Sequence, residues 1–445
     1  MAREMKDSGV EWIGQIPNNW KINKLNRIFE TITDYVASGS FADLAKNVTY
    51  LDLPNYARLI RTADVSGKRD SIQPVYINEH SYNFLKNSNL FGGELILPNI
   101  GAIGDVYLVP KLYEKMSLAP NLIMLRTSQN ILYYYYLFLS SLGKKMLLNL
   151  SQSTAQPKFN KTQLRQLKVL EPTIKEQEKI ANYLDKKVTD IDLIIEKTKA
   201  TIEDYKKYKQ SIITEAVTKG LNPNVEMKDS RIEWIGQIPK HWKIRKIKSF
   251  LSIISKGTTP KEISSNKSEK YKIKYIKSEN ISNGLVINIP EFYITSEVNE
   301  ELKRSQLQED ILFVIAGAGI GKTAIMPLTL LPANTNQAVS FLRLQERYQG
   351  YKRYLWYFLQ SNILKIYIEL FSVQSAQPNL SMENLSNLKI SLPEIFEIDN
   401  IVAYLDKKVS EIDNLIAKKE SLISEMEEYK KSLIYECVTG KKEII

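Results

Sequence analysis

Two stretches of the chain carry apolar residues at a heptad spacing, which predicts two long amphipathic helices. In the first stretch, the predicted seam consists of Leu184, Val188, Ile191, Ile195 and Ile202. In the second stretch, the seam has the same phase and consists of Leu405, Val409, Ile412, Ile416 and Ile423. The matched phase predicts that the two helices pair with each other as an antiparallel coiled coil.

Both heptad stretches are free of glycine and proline until Gly220 and Gly440, which suit helix C-terminal caps. The apolar spacing continues to Ala216 in the first stretch and to Cys437 in the second, so each seam has about 33 residues, or roughly 50 Å of helix. Because each stretch follows its own globular region, antiparallel pairing predicts pseudo-twofold symmetry with the globular regions at opposite ends of a rod. Separate packing of each helix on its own domain is the alternative.

The regions before the helices mix short apolar runs with glycine and proline, a pattern typical of strands joined by tight turns. The strand-like runs are Leu95–Leu97, Asp105–Val109 and Leu122–Leu125 in one region, and Ile311–Ile315, Ala324–Met326 and Ala338–Leu342 in the other. Each region then contains a predicted helix, at Ile131–Leu150 and at Tyr351–Phe371. The fold class predicted is α+β, with two tandem mixed α/β domains, each followed by a long helix.

The chain contains an internal repeat. Residues 5–17 read MKDSGVEWIGQIP and residues 227–239 read MKDSRIEWIGQIP. Further along, Ala155-Gln-Pro157 recurs as Ala376-Gln-Pro378, and the segment around Tyr183 recurs around Tyr404, both at an offset of 221. Residues 30–95 and 252–312 show almost no such match. Shared ends and different middles predict one scaffold that carries two different recognition surfaces.

The repeat divides the chain into four predicted segments. Two are domains, at residues 1–170 and 221–392, and two are helices, at residues 171–220 and 393–445.

The chain is basic, with a net charge of +11 and a pI of about 9.2, which favours a polyanionic partner and above all nucleic acid. Arginine, lysine and small polar side chains supply contacts to phosphates and base edges. The candidates in the first domain are Arg58, Arg61, Lys68, Arg69 and Lys158. Those in the second are Lys256, Thr258, Thr259, Lys261, Lys277 and Lys322. We expect a cytoplasmic protein, because the sequence has no apolar signal region and no apolar run that could span a membrane.

The residue types and motifs of the sequence give little support for a metal site or a catalytic site. One cysteine, Cys437, and two histidines, His80 and His241, exclude an intrachain disulfide and a structural zinc site. A magnesium site made of carboxylates alone stays open. The sequence has no recognisable amino-methyltransferase motif, nuclease carboxylate cluster or positioned Ser-His-Asp set. We therefore predict no catalytic residue and no metal site.

The segment Ala316-Gly-Ala-Gly-Ile-Gly-Lys-Thr323 is similar to a nucleotide-binding Walker A loop. Ala316 stands where that motif requires its first glycine, and the residues after Thr323 do not have a helical pattern. The other repeat has Ile100-Gly-Ala-Ile-Gly-Asp105 at the equivalent place. We interpret both segments as tight glycine turns between strands.

The two Glu-Trp-Ile-Gly-x-Ile-Pro openings, the Gln-Pro-x-x-Asn/Ser closings and the Ile-Ala/Val-x-Tyr-Leu-Asp-x-Lys helices resemble the specificity subunit of Type I restriction-modification systems. The likeness covers essentially the whole chain. It implies two target-recognition domains, at about residues 17–165 and 239–386, that each read one half of a bipartite site in double-stranded DNA. The helices would set the spacer between the halves.

The resemblance also implies the partners. Two modification subunits would dock on the helices, carry S-adenosylmethionine and methylate adenine. Restriction subunits, where present, would use ATP and magnesium for translocation and cleavage. The chain itself is expected to be non-catalytic, to bind no cofactor and to associate with no membrane.

Two other functions stay open from the residues alone. One is an NTPase that uses Lys322, and the other is a bivalent coiled-coil adaptor that makes no contact with DNA. The divergent middles argue against the adaptor, because a symmetric adaptor has little reason to differ there.

Overall fold

In the computed structural model, the two heptad stretches form long helices and the short apolar runs form strands. The structure describes residues 3–67, 73–151, 157–372 and 379–444. They form two compact units, the first from residues 1–198 with 421–445 and the second from residues 199–420. Each unit therefore contains one domain and parts of both long helices.

The first unit is a mixed α/β structure with thirteen strands among its described residues. The strands are β1 (Met5–Asp7), β2 (Gln15–Pro17), β3 (Lys21–Lys24), β4 (Thr31–Asp34), β5 (Tyr50–Leu51), β6 (Ala57–Ile60), β7 (Val75–Ile77), β8 (Asn89–Leu90), β9 (Leu95–Pro98), β10 (Tyr107–Leu108), β11 (Met116–Leu118), β12 (Leu122–Arg126) and β13 (Lys168–Glu171). The helices are α1 (Phe41–Asn47), α2 (Thr62–Val65), α3 (Glu79–Phe84), α4 (Ile131–Leu139), α5 (Ser141–Asn149), α6 (Lys161–Arg165) and the first part of α7 (Ile174–Lys219).

Two sheets form the centre of the first unit. One is antiparallel, with the strand order β10-β9-β12-β4, and the other has the order β5-β7-β6-β11-β8 with a parallel β6–β11 pair. The apolar residues of β9 and β12 are fully buried, as the strand-like runs in the sequence predict. The first sheet therefore provides the rigid base from which its loops project.

The second unit repeats this plan with different details. Its strands are β14 (Met227–Asp229), β15 (Gln237–Pro239), β16 (Lys243–Lys246), β17 (Leu251–Lys256), β18 (Tyr271–Ile276), β19 (Ile281–Ser282), β20 (Leu285–Val286), β21 (Tyr293–Thr295), β22 (Ile311–Val314), β23 (Thr323–Ile325), β24 (Ala333–Thr335), β25 (Val339–Leu344) and β26 (Lys389–Leu392). Its helices are α8 (Ser296–Glu301), α9 (Lys352–Phe358), α10 (Asn362–Phe371), α11 (Met382–Asn387) and the first part of α12 (Ile395–Val438).

The sheets of the second unit keep the same pairing logic. An antiparallel sheet has the order β17-β25-β22-β23, and a three-stranded sheet has the order β21-β18-β24 with a parallel β18–β24 pair. Each domain is thus α/β mixed and is followed by a long helix, so the predicted fold class is confirmed.

Inside each unit, α7 and α12 pack against each other. In the first unit, Ile191 and Ile195 share a core with Leu433 and Ile434. Asp192 pairs with Lys430 at 2.5 Å in the first unit, and Lys209 pairs with Asp413 at 2.5 Å in the second. Lys209 comes after Asp192 on α7, but its partner Asp413 comes before Lys430 on α12. This order is that of an antiparallel pair. Of the predicted seam, Val188, Val409 and Ile423 are half-buried, and the others are buried: Leu184, Ile191, Ile195, Ile202, Leu405, Ile412 and Ile416.

The repeated residues make repeated contacts. The indole nitrogen of Trp20 donates to Glu176 Oε1 at 3.1 Å, and that of Trp242 donates to Glu397 Oε2 at 3.1 Å. Each repeat opening is thereby fastened to the start of the long helix that follows it. A second pair of contacts involves the far ends of the helices. Tyr133 Oη donates to the carbonyl of Val438 at 3.1 Å, and Tyr354 Oη donates to that of Val217 at 3.0 Å.

The sequence predicts two continuous helices that the structure divides, so these two predictions are wrong. The stretch Ile131–Leu150 is broken at Ser140, which has extended φ and ψ and whose hydroxyl accepts the amide of Gly143 at 3.1 Å. Serine at such a position caps a new helix. In the second unit, the stretch Tyr351–Phe371 is likewise split, with an extended Ser361 before α10. The hydrophobic pattern continues across both breaks, so it does not reveal them.

Within the described residues, none of the helices is long and apolar enough to cross a membrane.

Candidate nucleic-acid interface

The loops at one end of the antiparallel sheet in the second unit lie together because of the strand register. Lys256, the last residue of β17, is opposite Ser340, and Val339, the first residue of β25, is opposite Val314, the last residue of β22. The chain leaves β17 and β22 and enters β25 at this same end. Three loops therefore converge there, after β17, between β22 and β23, and between β24 and β25.

Hydrogen bonds tie two of these loops together. The amide of Gly257 donates to the carbonyl of Asn336 at 3.1 Å, and the amide of Thr258 donates to that of Thr335 at 3.1 Å. Tyr275 Oη donates to the carbonyl of Thr258 at 2.8 Å. A Cβ atom on Gly257 would lie 1.8 Å from the carbonyl oxygen of Thr335, so only glycine fits this close approach.

Most of the candidate DNA contacts in the second domain stand on these loops. The end of β17 and the loop after it expose Lys256, Thr258, Thr259 and Lys261. Lys277 follows β18, which is parallel to β24 and ends at the same level, with Ile276 opposite Thr335. The ammonium of Lys277 lies 3.4 Å from the ring centroid of Phe292. We call the loop 256–261, Lys277, the turn 336–338 and the loop 315–322 the second recognition edge.

Gln337, which is not among the candidates from the sequence, is exposed on the 336–338 turn of this edge. The hydroxyl of Thr259 donates to Gln337 Oε1, which leaves the amide NH₂ group of Gln337 directed away from that contact. A glutamine amide can donate to base acceptors in the major groove. The polar run Asn334-Thr-Asn-Gln337 stands directly before the predicted strand Ala338–Leu342, and this pattern would have indicated an exposed turn.

The glycine loop with Lys322 is a turn between antiparallel strands, as predicted. Gly317 and Gly321 have positive φ, and Phe313 of β22 is opposite Thr323 of β23. The hydroxyl of Thr323 donates to the carbonyl of Leu312 at 2.7 Å and is buried. A Walker A threonine starts a helix and holds Mg²⁺ with its hydroxyl. Thr323 starts a strand and uses its hydroxyl inside the sheet. Lys322 itself is exposed.

The first unit has an equivalent end, which we call the first recognition edge (Asp34, Arg61, the loop 99–106, Asn121 and Lys158). Asp34 ends β4 opposite Ile123, and Pro98 ends β9 opposite Leu122. Arg61 follows β6 as Lys277 follows β18, because Ile60 is opposite Leu118 in the parallel pair. Two residues chosen from the sequence separately, Arg61 and Lys277, thus occupy matching positions.

Arg58 and Arg61 are held by a buried carboxylate. Arg58 Nη2 lies 2.8 Å from Asp64 Oδ1, and Arg61 Nε lies 2.9 Å from Asp64 Oδ2. Burial of Asp64 raises the pKa of its carboxyl, but the hydrogen bonds from Arg61 and Arg58 outweigh that effect and the pKa is lowered overall. Arg58 lies within β6 and is mostly covered, so of the two arginines Arg61 is the one at the edge.

The remaining candidates in the first unit differ in their surroundings. Lys158 is exposed and bridges to Ile100 of the glycine loop. Lys68 and Arg69 lie outside the described residues. Asn121, which is not among the candidates from the sequence, is exposed on the turn before β12 with a φ of 65°.

The two edges differ in charge at matched positions. Asp34, which is paired with Lys161 at 2.8 Å, stands where the second unit has the exposed Lys256. Asp105 follows Gly104, and Lys322 follows the equivalent Gly321. A shared framework therefore presents two chemically different surfaces.

No group of three or more His, Cys, Asp or Glu side chains that could hold a metal ion occurs among the residues that the structure describes. Cys437 is buried, and burial raises the pKa of its thiol to about 11.

Comparisons with known proteins agree with the repeated plan. The family model of the Type I restriction modification DNA specificity domain matches the chain twice, at residues 17–204 and 239–425. Two relatives come from Methanocaldococcus jannaschii. The putative type I restriction enzyme MjaX specificity subunit is 25% identical over 439 residues, covering 96% of this chain and 95% of the relative. The type I restriction enzyme MjaVIII specificity subunit is 26% identical over 396 residues, covering 84% of each.

Solved structures show the same fold at low sequence identity. One, described as the structural basis underlying complex assembly and conformational transition of the type I R-M system, has a TM-score of 0.69 at 13% identity and covers 96% of this chain and 99% of its own. The HsdS subunit from Thermoanaerobacter tengcongensis has a TM-score of 0.51 at 14% identity and covers 96% and 98%. Because the family model accounts for well over half of the residues, in two copies, the chain belongs to the Type I restriction-modification DNA specificity family.

Proposed function

We propose that this chain is a non-catalytic specificity subunit that reads a bipartite DNA target, one half-site with each recognition edge. The observation that carries the proposal is the contrast between the two edges. Arg61 and Lys277 occupy matching positions and are both basic. In contrast, Asp34 occupies the position of Lys256, and Asp105 occupies that of Lys322. Base recognition requires a different arrangement of donors and acceptors for each sequence, so different edges imply different half-sites.

The long helices supply matched surfaces for two copies of one partner. In the first unit, Ile194 and Tyr429 are exposed beside the Asp192–Lys430 ion pair, and the exposed fraction of Tyr429 is 51%. In the second unit, Leu415 and Tyr208 are exposed beside the matching pair, and the exposed fraction of Tyr208 is 57%. Exposed aromatic and aliphatic side chains on a shared scaffold favour protein contacts. Two modification subunits are the partners that fit this duplication.

The chemistry then belongs to the partners. S-adenosylmethionine would be held by the modification subunits, which methylate adenine, and ATP with magnesium by restriction subunits in a host that has them. This chain would contribute base and phosphate contacts and a docking surface. The helices α7 and α12 would set the length of the spacer between the two half-sites.

The decisive experiment is methylome sequencing of a host that expresses the modification subunits with or without this chain. We expect adenine methylation at a split motif only when the chain is present, and no methylation or cleavage by the purified chain alone. A contiguous motif, or an unchanged methylome, would contradict the proposal. If the assembled complex bound DNA without any dependence on salt, the adaptor function would be favoured instead.

A further inference from the structure

The second unit contains a cavity that shares Lys322 with the second recognition edge and extends beyond that edge. It has a volume of about 690 Å³ and lies between α7, the glycine loop and α10. Lys206 and Lys207 of α7, Lys322 of the loop and Lys365 of α10 are four of the residues that line it. We call this the lysine groove.

Charge in the groove is only partly compensated. Lys206 pairs with Glu203 at 2.8 Å, and Lys207 lies 3.7 Å from Asp204. Lys322 and Lys365 form no ion pair with any residue in the described part of the chain. All four lysines are exposed, so their ammonium groups can reach an anion in solvent. The acidic residues that line the cavity are Glu203 and Glu369.

The groove is continuous with the second recognition edge. Lys322 belongs to the loop 315–322, and that loop leaves the sheet at the end where Lys256 and the 336–338 turn also lie. A ligand that extends from the edge past Lys322 therefore meets Lys206 and Lys207 on the long helix. Flexible lysines act as point charges for phosphates and do not have the fixed fork that reads a base.

The repeat provides an internal comparison. At an offset of 221, Lys206 and Lys207 become Glu427 and Glu428, while Lys365 becomes Lys144. Lys322 corresponds to Asp105. Three of the four positive positions are therefore acidic in the first unit, although the two units share one plan. A scaffold requirement would have kept the same charge in both units.

We propose that the lysine groove binds the sugar-phosphate backbone of DNA beside the half-site read by the second edge, independently of base sequence, and that the first unit has no such anchor. The inference rests on the proposed function for its DNA ligand and deepens it. The second half-site would be held by base contacts and by the groove, and the first half-site by its edge alone. The second half-site would thus be bound through more phosphate contacts than the first.

The test uses the full chain assembled with its modification subunits and follows DNA binding across a salt series. The variants are K206Q/K207Q and K322Q/K365Q, and K303Q/K418Q is the control, since Lys303 and Lys418 are exposed in the second unit and do not line the cavity. Because log K falls with log salt by about 0.9 for each phosphate contact, each lost contact should make that negative slope less steep by about 0.9. We expect both groove variants to make it less steep by about 1 to 2, equally for the target duplex and for a duplex of unrelated sequence, while the control leaves it unchanged.

The methylated motif separates failure of this inference from failure of the proposed function. An unchanged slope with an intact split motif overturns the groove and leaves the proposed function standing. A loss of affinity confined to the target duplex also overturns it, because the groove would then be reading bases. As a converse test, E427K/E428K in the first unit should make the slope steeper. Thermal melting of each variant checks that folding is intact.

Discussion

At the scale of single residues, the first recognition edge depends on Asp64. Its carboxylate is almost fully covered and accepts from Arg58, from Arg61 and from the backbone amide of Arg61 at 3.0 Å. A buried charge is tolerated only when its hydrogen bonds are satisfied. Asp64 therefore fixes the direction of Arg61, the candidate for DNA contact, and converts a flexible side chain into a positioned one.

This arrangement predicts how the first unit responds to pH and to loss of the carboxylate. The pKa of Asp64 is lowered in the fold from its ordinary value of 3.8. Its contribution to stability is therefore present above that value and lost as the pH falls through the folded pKa. Asp64→Asn should cost on the order of 3 kcal/mol at neutral pH, because Arg58 and Arg61 lose their counter-charge. The variant should also lose most of the acid dependence below about pH 4.

Hydrogen exchange at β6 and α2, measured over a pH series, checks both effects. Asp52→Asn is the control, because Asp52 is exposed, and it should change local stability by less than about 0.5 kcal/mol. Equal effects of the two substitutions would mean that the Asp64 network contributes nothing specific.

At the scale of elements, the second edge is a set of loops held by the ends of strands, and Gly257 is the point of closest approach. Gly257→Ala forces β17 and the end of β24 apart, because the new Cβ would meet the carbonyl oxygen of Thr335. Overpacking of this kind costs about 1–3 kcal/mol. Since the strain lies beside Thr258, Thr259 and Gln337, we expect methylation to lose its selectivity at one half-site only and to keep the other.

Methylome sequencing of the Gly257→Ala strain measures this directly. Gly350→Ala is a suitable control, since Gly350 lies in the same unit outside the second recognition edge and its Cβ would make only an ordinary contact with Ile395. If both half-sites relaxed together, or if neither did, the assignment of one half-site to each edge would be wrong.

The same elements show how far the sequence can predict the structure. Heptad spacing depends on one face of one helix, so Leu184 and Leu405 could be placed in a seam from the pattern alone. Ser140 and Ser361 could not be foreseen as breaks, because the apolar pattern runs through them and capping depends on local backbone geometry. The roles of Gly257 and Gln337 become visible only once the loop after β17 lies against the end of β24 and the turn that follows it. Their partners are about 80 residues away in sequence, and such contacts leave no local signal.

At the scale of the whole molecule, each compact unit is completed by the other repeat's helix. The end of α12 belongs to the first unit, where Val438 accepts from Tyr133, and the end of α7 belongs to the second, where Val217 accepts from Tyr354. A single repeat expressed alone would lack the helix end that its own tyrosine requires. The duplication is therefore built into the packing as well as into the sequence.

The long helices also give the last prediction, which concerns the spacer. Removing residues 199–202 from α7 and 420–423 from α12 leaves the Asp192–Lys430 and Lys209–Asp413 pairs in place, because both deletions lie between them. Four residues of helix span about 6 Å and turn by about 40° beyond a full rotation. One base pair rises about 3.4 Å and turns by about 35°. We therefore expect the methylated motif to keep both half-sites and to lose one or two base pairs of spacer. Replacing the other seven of these eight residues by alanine, since Ala200 is alanine already, keeps the length and should keep the spacer. A spacer that did not change after the deletion would mean that α7 and α12 do not set it.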